Sequence, residues 1–186
     1  MSYQLSKTSH SVEQTQALAR ALAQCVQPSD CFVLSGDLGA GKTHFAQGFA
    51  AGLGIERAVA SPTFNIVLEY PEAHPPLYHF DVYRLDEASE LEDIDFYALV
   101  EDDGVSLIEW GEKFDEALDE ADVHIVIEHE SPEGEEDAAH DERSVCEEDA
   151  AHGERSQREE PSRAIHFKAL SSRGEEIIAA FYRATK

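Results

Sequence analysis

Gly36-Asp37-Leu38-Gly39-Ala40-Gly41-Lys42-Thr43 is the stretch on which the fold turns. It has the form G-x-x-x-x-G-K-[ST], and each fixed residue has a physical task. The glycines let successive backbone N–H groups turn toward one point and cradle phosphate oxygens. A helix starting where the loop ends adds the positive end of its dipole. The Lys42 side chain can reach β- and γ-phosphates, and the Thr43 hydroxyl can coordinate Mg²⁺. Asp37, Leu38, Gly39, Ala40, Gly41, Lys42 and Thr43 are therefore the candidate contacts to a nucleoside triphosphate. No N-K-x-D or T-K-x-D guanine-reading element occurs, which favours ATP over GTP.

The flanks agree with this reading. Cys31-Phe32-Val33-Leu34-Ser35 is a short apolar run, expected as a buried strand. Phe45, Ala46, Phe49, Ala50 and Leu53 mark one face of a following helix that Gly54 can close. Strand, loop and helix thus come in the order that phosphate binding needs, and they predict an α/β fold. Before them, Ser11-Val12-Glu13-Gln14 has the form of a capping box, and a helix is expected from Val12 to Val26. Beyond them, Phe64–Tyr70 and Leu77–Leu85 read as a hairpin or adjacent strands. An acidic helix is expected from Glu87 to Glu101, with Leu91, Ile94 and Ala98 inward. Val105-Ser106-Leu107-Ile108, Val123–Glu128 and Ala164–Ala169 read as further strands, with a short helix over Phe114–Glu120. Ser172-Arg173-Gly174-Glu175 resembles a second capping box, before a last helix carrying Ile177, Ile178 and Phe181.

A triphosphate site of this kind also needs an acidic partner for metal and water. Asp81 follows Leu77-Tyr78-His79-Phe80. Glu109 follows Val105-Ser106-Leu107-Ile108, at the strand end where α/β proteins bind ligands. Either carboxylate could hold the metal or orient the attacking water, and the residues alone do not separate these roles. Thr63, in Ser61-Pro62-Thr63-Phe64, could sense the γ-phosphate as switch loops do, or the segment could be a turn that buries Phe64. Trp110 either packs against the nucleotide or fills the core.

The chain has 186 residues, 42% of them apolar, enough for one domain with one core. No stretch approaches the roughly 20 apolar residues of a membrane helix, and the polar start Met1–His10 lacks a signal core. Cys25, Cys31 and Cys146 form no C-x-x-C pair, which suits reduced thiols in a cytoplasmic protein. The net charge of −25 disfavours a face that grips nucleic acid unaided. Part of it is local: Glu130 to Glu160 holds 13 acidic and 3 basic residues. There, Glu135–Ser144 is nearly repeated as Glu147–Ser156. Such a segment cannot bury enough surface to offset its ordering entropy. It is expected to be a disordered acidic insert at about 131–160 within a single domain spanning 1–186.

Four segments together carry a family resemblance: the glycine loop, Ser61-Pro62-Thr63-Phe64, His79-Phe80-Asp81-Val82-Tyr83-Arg84-Leu85, and Ile108-Glu109-Trp110. In this order the chain resembles the bacterial TsaE family, small P-loop ATPases of tRNA threonylcarbamoyladenosine biosynthesis. The resemblance covers Leu5 to Glu128 and resumes near Ser162-Arg163-Ala164-Ile165. It implies a P-loop NTPase-like three-layer sandwich with a mixed, mainly parallel sheet. It also implies slow ATP hydrolysis in support of the TsaD and TsaB proteins. Their machinery places a threonylcarbamoyl group on the adenosine beside the anticodon, so tRNA is met through the complex. On this footing Lys42 binds phosphate, Thr43 and Glu109 serve Mg²⁺, and Asp81 assists hydrolysis. Thr63 sits in a switch-like loop and Trp110 lies close to the nucleotide.

Three departures stand out. His44 replaces a more usual threonine and is expected to face away. Gly111 follows Trp110 where proline is common, which could loosen the loop bearing Glu109. The duplicated insert is foreign to the family. Two other readings compete. A small-molecule kinase would need an arginine-bearing lid, and the only candidates, Arg143, Arg155 and Arg158, lie in the repeat. A nucleotide-gated binding module would bind ATP without useful turnover.

Overall fold

Cys31–Ser35 is buried at every position and forms the central strand, β2, of a seven-stranded sheet. The computed structural model describes residues 3–130 and 161–186, and the acidic repeat lies outside them. In chain order the other strands are β1 (Gln4–Ser9), β3 (Val67–Tyr70), β4 (Leu77–Asp81), β5 (Val105–Glu109), β6 (Val123–His129) and β7 (Arg163–Ala169). Across the sheet the order is β1-β7-β6-β2-β5-β4-β3. The central four, β6, β2, β5 and β4, are mutually parallel. β3 and β7 run against them, and β1 pairs antiparallel to β7. This is the mixed, mainly parallel sheet that the resemblance implies.

Side-chain alternation along the strands makes the layers. Phe32 and Leu34 of β2, with Val105, Leu107, Val123 and Ile125, pack on one face. There they meet helices α1 (Val12–Ala23), α2 (Lys42–Gly52) and α6 (Ser172–Ala184). Cys31 and Val33 turn the other way, with Phe80 and Ile108, toward α3 (Glu90–Asp93), α4 (Phe96–Val100) and α5 (Asp115–Asp119). The result is a three-layer sandwich. α6 is pinned to the loop before β2 by Arg173, which donates to both oxygens of the buried Asp30 at 2.8 and 2.9 Å.

Several local expectations are corrected. The strand expected from Phe64 begins only at Val67, because Asn65 and Ile66 donate back to the Pro62 carbonyl and form a turn. Ile66 sits there at φ 67°, rare for a β-branched residue. β4 stops at Asp81 rather than Leu85, where Leu85 N–H closes a turn on the Val82 carbonyl. The helix expected over Glu87–Glu101 is two short ones, broken at Asp95 with φ 54°. Phe96 and Val100 face inward there, while Ala98 is exposed. Ser171, not Ser172, caps α6 and accepts from Gly174 N–H. β1 was not expected: its alternate residues face solvent on an edge strand, and only Leu5 in it is strongly apolar.

α1 and α2 lie against each other at Gly48, where a Cβ would stand 2.4 Å from the Gln16 carbonyl oxygen and 2.5 Å from its Cα. This close approach holds α2, and so the glycine loop at its start, against the sheet. Gly48→Val is expected to lower the unfolding free energy by about 2–3 kcal/mol through overpacking. Urea denaturation measures it; an unmoved midpoint would mean that α1 can back away freely.

Candidate functional site

Strand register assembles the site. β4 and β5 pair Asp81 with Glu109, and β5 and β2 pair Glu109 with Leu34. Trp110 N–H then donates to the Leu34 carbonyl at 3.0 Å. Both carboxylates therefore stand beside the point where β2 gives way to the glycine loop. Asp81 and Glu109 are each 2% exposed.

The loop itself needs glycine. A Cβ on Gly36 would lie 2.3 Å from the Ile127 carbonyl oxygen, and Gly41 caps α2 at φ 111°. Ala40 N–H bonds the Asp37 carbonyl at 3.1 Å. The N–H groups of Leu38, Gly39 and Gly41 have no hydrogen-bond partner among the described residues. Unpaired donors at the start of an 11-residue helix form a seat for an anion. Behind the loop, Arg163 of β7 is buried and donates from Nε to the Ala40 carbonyl at 3.1 Å.

Lys42 is folded into this seat. Its Nζ donates to the carbonyls of Gly36 (2.5 Å) and Asp37 (2.9 Å) and lies 3.7 Å from the centre of the Trp110 ring. Burial pushes its ammonium below the usual lysine range, and Glu109, Glu112, Asp81 and Asp37 pull it back upward. Trp110 is half-buried, at φ 63°, with the Tyr83 ring 5.1 Å away. It borders the core and lines the cleft at once.

Asp81 is fully engaged. Its Oδ2 accepts from Thr63 Oγ1 (2.5 Å) and Ser61 Oγ (3.0 Å), and its Oδ1 accepts from Tyr83 N–H (3.1 Å). Lys113 ties down the same turn by donating to the carbonyls of Tyr83 and Leu85. Thr63 thus lies in the cleft but is turned to Asp81, while Phe64 is 87% exposed rather than buried. Glu109 Oε1 meets His79 Nε2 at 2.9 Å, and its Oε2 has no hydrogen-bond partner among the described residues and lies at the cleft.

The cleft brings together Leu38, Gly39, Gly41, Lys42, Thr43, Thr63, Asp81, Glu109 and Trp110. Asp37 and Ala40 do not line it: Asp37 is exposed, and the Ala40 methyl belongs to the core. His44, expected to face away, is half-buried on the cleft wall. Gly111 does not loosen its loop. It is buried, and a Cβ there would lie 2.9 Å from Val33 Cγ2. Ser61, His79 and Arg163 also belong to the site, though the sequence motifs that contain them assign them no role there. The signal for His79 was its position two residues before Asp81 on one strand, which turns both to the same face.

The residues suit a nucleotide and its metal. The unpaired N–H groups suit phosphate oxygens. The Thr43 hydroxyl makes no hydrogen bond among the described residues, and Glu109 Oε2 adds a hard anionic oxygen. No group of three His, Cys, Asp or Glu residues is placed to hold a metal alone, among the described residues. Mg²⁺ needs only one or two protein oxygens, together with phosphate and water.

The family model described as "Threonylcarbamoyl adenosine biosynthesis protein TsaE" matches residues 9–138. The chain belongs to the TsaE family. It is 42% identical over 151 residues to the tRNA threonylcarbamoyladenosine biosynthesis protein TsaE of Bacillus subtilis (strain 168), covering 81% of this chain and 89% of that protein. The protein of the same name from Streptomyces coelicolor is 42% identical over 114 residues, 60% of this chain and 76% of the other. The crystal structure of Bacillus subtilis YdiB superposes with a TM-score of 0.71 at 31% identity, covering 100% of this chain and 99% of that one. Among the described residues, no helix of this TsaE-family chain is long and apolar enough to cross a membrane.

The Asp81 contacts predict a local effect. Asp81→Ala removes the acceptor for Ser61, Thr63 and Tyr83. Loss of hydrogen bonds to a charged group, at about 1.5 kcal/mol or more, should raise amide exchange across residues 61–66 roughly tenfold. Hydrogen–deuterium exchange measures it. Unchanged protection would mean that the turn on the Pro62 carbonyl holds the loop without the carboxylate.

Proposed function

We propose that this chain is an ATP-binding and ATP-hydrolysing subunit of the machinery that makes tRNA threonylcarbamoyladenosine. It works in the cytoplasm beside the TsaD and TsaB proteins, which add the threonylcarbamoyl group to the adenosine next to the anticodon. It supports their turnover and meets tRNA through the complex. Family membership supports the pathway. One observation supports the chemistry: unpaired loop donors, Lys42 and Thr43 line one cleft with the buried carboxylate of Glu109.

The backbone N–H groups of Leu38, Gly39 and Gly41 bind phosphate oxygens, aided by the α2 dipole. Lys42 exchanges its contacts with the Gly36 and Asp37 carbonyls for phosphate oxygens. Thr43 and Glu109 hold Mg²⁺. When bound, the metal neutralises charge on the β- and γ-phosphate oxygens. Asp81 assists hydrolysis through the loop it anchors, placing Thr63 at the cleft edge. Trp110 closes one side of the cleft. The protein's excess of acid opposes direct capture of tRNA, and dependence on protein partners accommodates it.

Two variants test the reading. Lys42→Ala should weaken Mg²⁺-ATP binding by at least about tenfold, since it removes a charged donor. Trp110, the only tryptophan, supplies the fluorescence signal. Glu109→Gln should keep most nucleotide binding and slow phosphate release by roughly 10²-fold. In a reconstitution with TsaD, TsaB and tRNA, both should lower modified nucleoside formed. Parent-level modification by both would refute the mechanism, and ADP formation that requires an added small acceptor would favour a kinase.

A further inference from the structure

His79 lies in the middle of β4, opposite Leu107, and is 0% exposed. Glu109 is two residues beyond Leu107 on β5, so the pair are diagonal neighbours on one face of the sheet. They meet through a single contact, Nε2 to Oε1 at 2.9 Å. Nδ1, on the other side of the ring, has no hydrogen-bond partner among the described residues. With its only partner at Nε2, the ring carries its proton there and donates it to the carboxylate.

An imidazole is a poor choice if the position only fills space. A buried polar atom without a partner costs stability, and Leu77, two residues earlier on the same face, shows what packing alone selects. What the ring supplies is a donor behind a carboxylate that has no other hydrogen-bond partner among the described residues. Without it, no hydrogen bond from the described residues fixes the rotamer of Glu109, and the Lys42 ammonium acts on the same carboxylate.

We propose that His79 is the positioning residue for Glu109: its Nε2–H holds one carboxylate oxygen, so that the other faces the cleft and the metal of a bound nucleotide. This rests on the assignment of Glu109 to Mg²⁺ above. Donors that orient a ligating group from behind typically change metal affinity 10–100-fold when removed.

The test uses the full chain and compares ATP binding with Mg²⁺ and with EDTA. In His79→Leu the Mg²⁺ midpoint should rise about tenfold while binding in EDTA stays within about twofold of the parent. His79→Gln, whose amide can donate from a similar reach, should recover most of the loss. An unmoved midpoint in His79→Leu, equal losses with and without Mg²⁺, or no recovery in folded His79→Gln overturns the inference alone. No Mg²⁺ effect in the parent overturns the functional reading and this inference with it. If His79→Leu does not fold, ¹⁵N-edited NMR of the parent ring decides. The Nε2–H resonance should be present and should shift when Mg²⁺ joins bound ATP, and should not shift in Glu109→Ala. A proton on Nδ1, or an unmoved resonance in the parent, overturns it.

Discussion

The parallel ladder from β4 through β5 to β2 sets the position of each chemical group in the cleft. Asp81 and Glu109 are register partners, and Leu34 is the next across. A slip of one residue on β5 would turn Glu109 to the opposite face and bring an apolar neighbour into the cleft. The apolar faces forbid that slip: Leu107 and Val105 pack under α1 and α2, while Ile108 packs under the short helices. Core packing and site geometry are thus one constraint. The carboxylate is held in place because its neighbours on the strand are oily on both sides.

Charge has to be managed within that frame. The cleft holds two nearly buried carboxylates in a strongly acidic protein, an unfavourable place for a triphosphate. The opposing positive features are few and close: Lys42, the start of α2, and Arg163 behind the loop. Arg163 donates to the carbonyl of Ala40 and does not line the cleft, so its charge supports the loop without occupying it. Hydrogen bonds cover the rest. Asp81 is answered by two hydroxyls and a backbone N–H, and Glu109 by an imidazole. Of the Asp81 and Glu109 oxygens, Glu109 Oε2 is the one without a hydrogen-bond partner among the described residues, where a cation would be needed.

Much of this was legible in the sequence because it depends on local rules. The loop glycines, the all-apolar β2 and the helix face after Lys42 could be read directly, and so could the strand ends bearing Asp81 and Glu109. What was missed depends on one local turn and on partners far along the chain. Phe64-Asn65-Ile66 has the composition of a strand, but the Pro62 carbonyl captures two of its N–H groups and Ile66 is forced to a positive φ. Glu87–Glu101 has helical spacing, yet Phe96 must pack on Phe80 at 5.3 Å, which fits a break at Asp95 rather than a continuous helix. His79 looks like one more residue of an apolar strand until the register sets it beside Glu109. Gly111 looks like a weakness until Val33 is seen against it.

Lys42 illustrates how the parts work together. In this structure its side chain is largely buried, and burial pushes its proton affinity down. Two carbonyls and an aromatic face replace part of the lost hydration. The charge is therefore partly desolvated before any phosphate arrives, and its route into the seat is short, because the carbonyls that hold it belong to the same loop. An exposed lysine would have to shed water and rotamer freedom at the moment of binding. Trp110 makes the arrangement possible: its positive φ turns the ring back over the loop, and the buried Gly111 behind it leaves no room for a side chain without displacing Val33. The strained backbone beside Glu109 thus sets both the wall of the cleft and the resting place of its main cation.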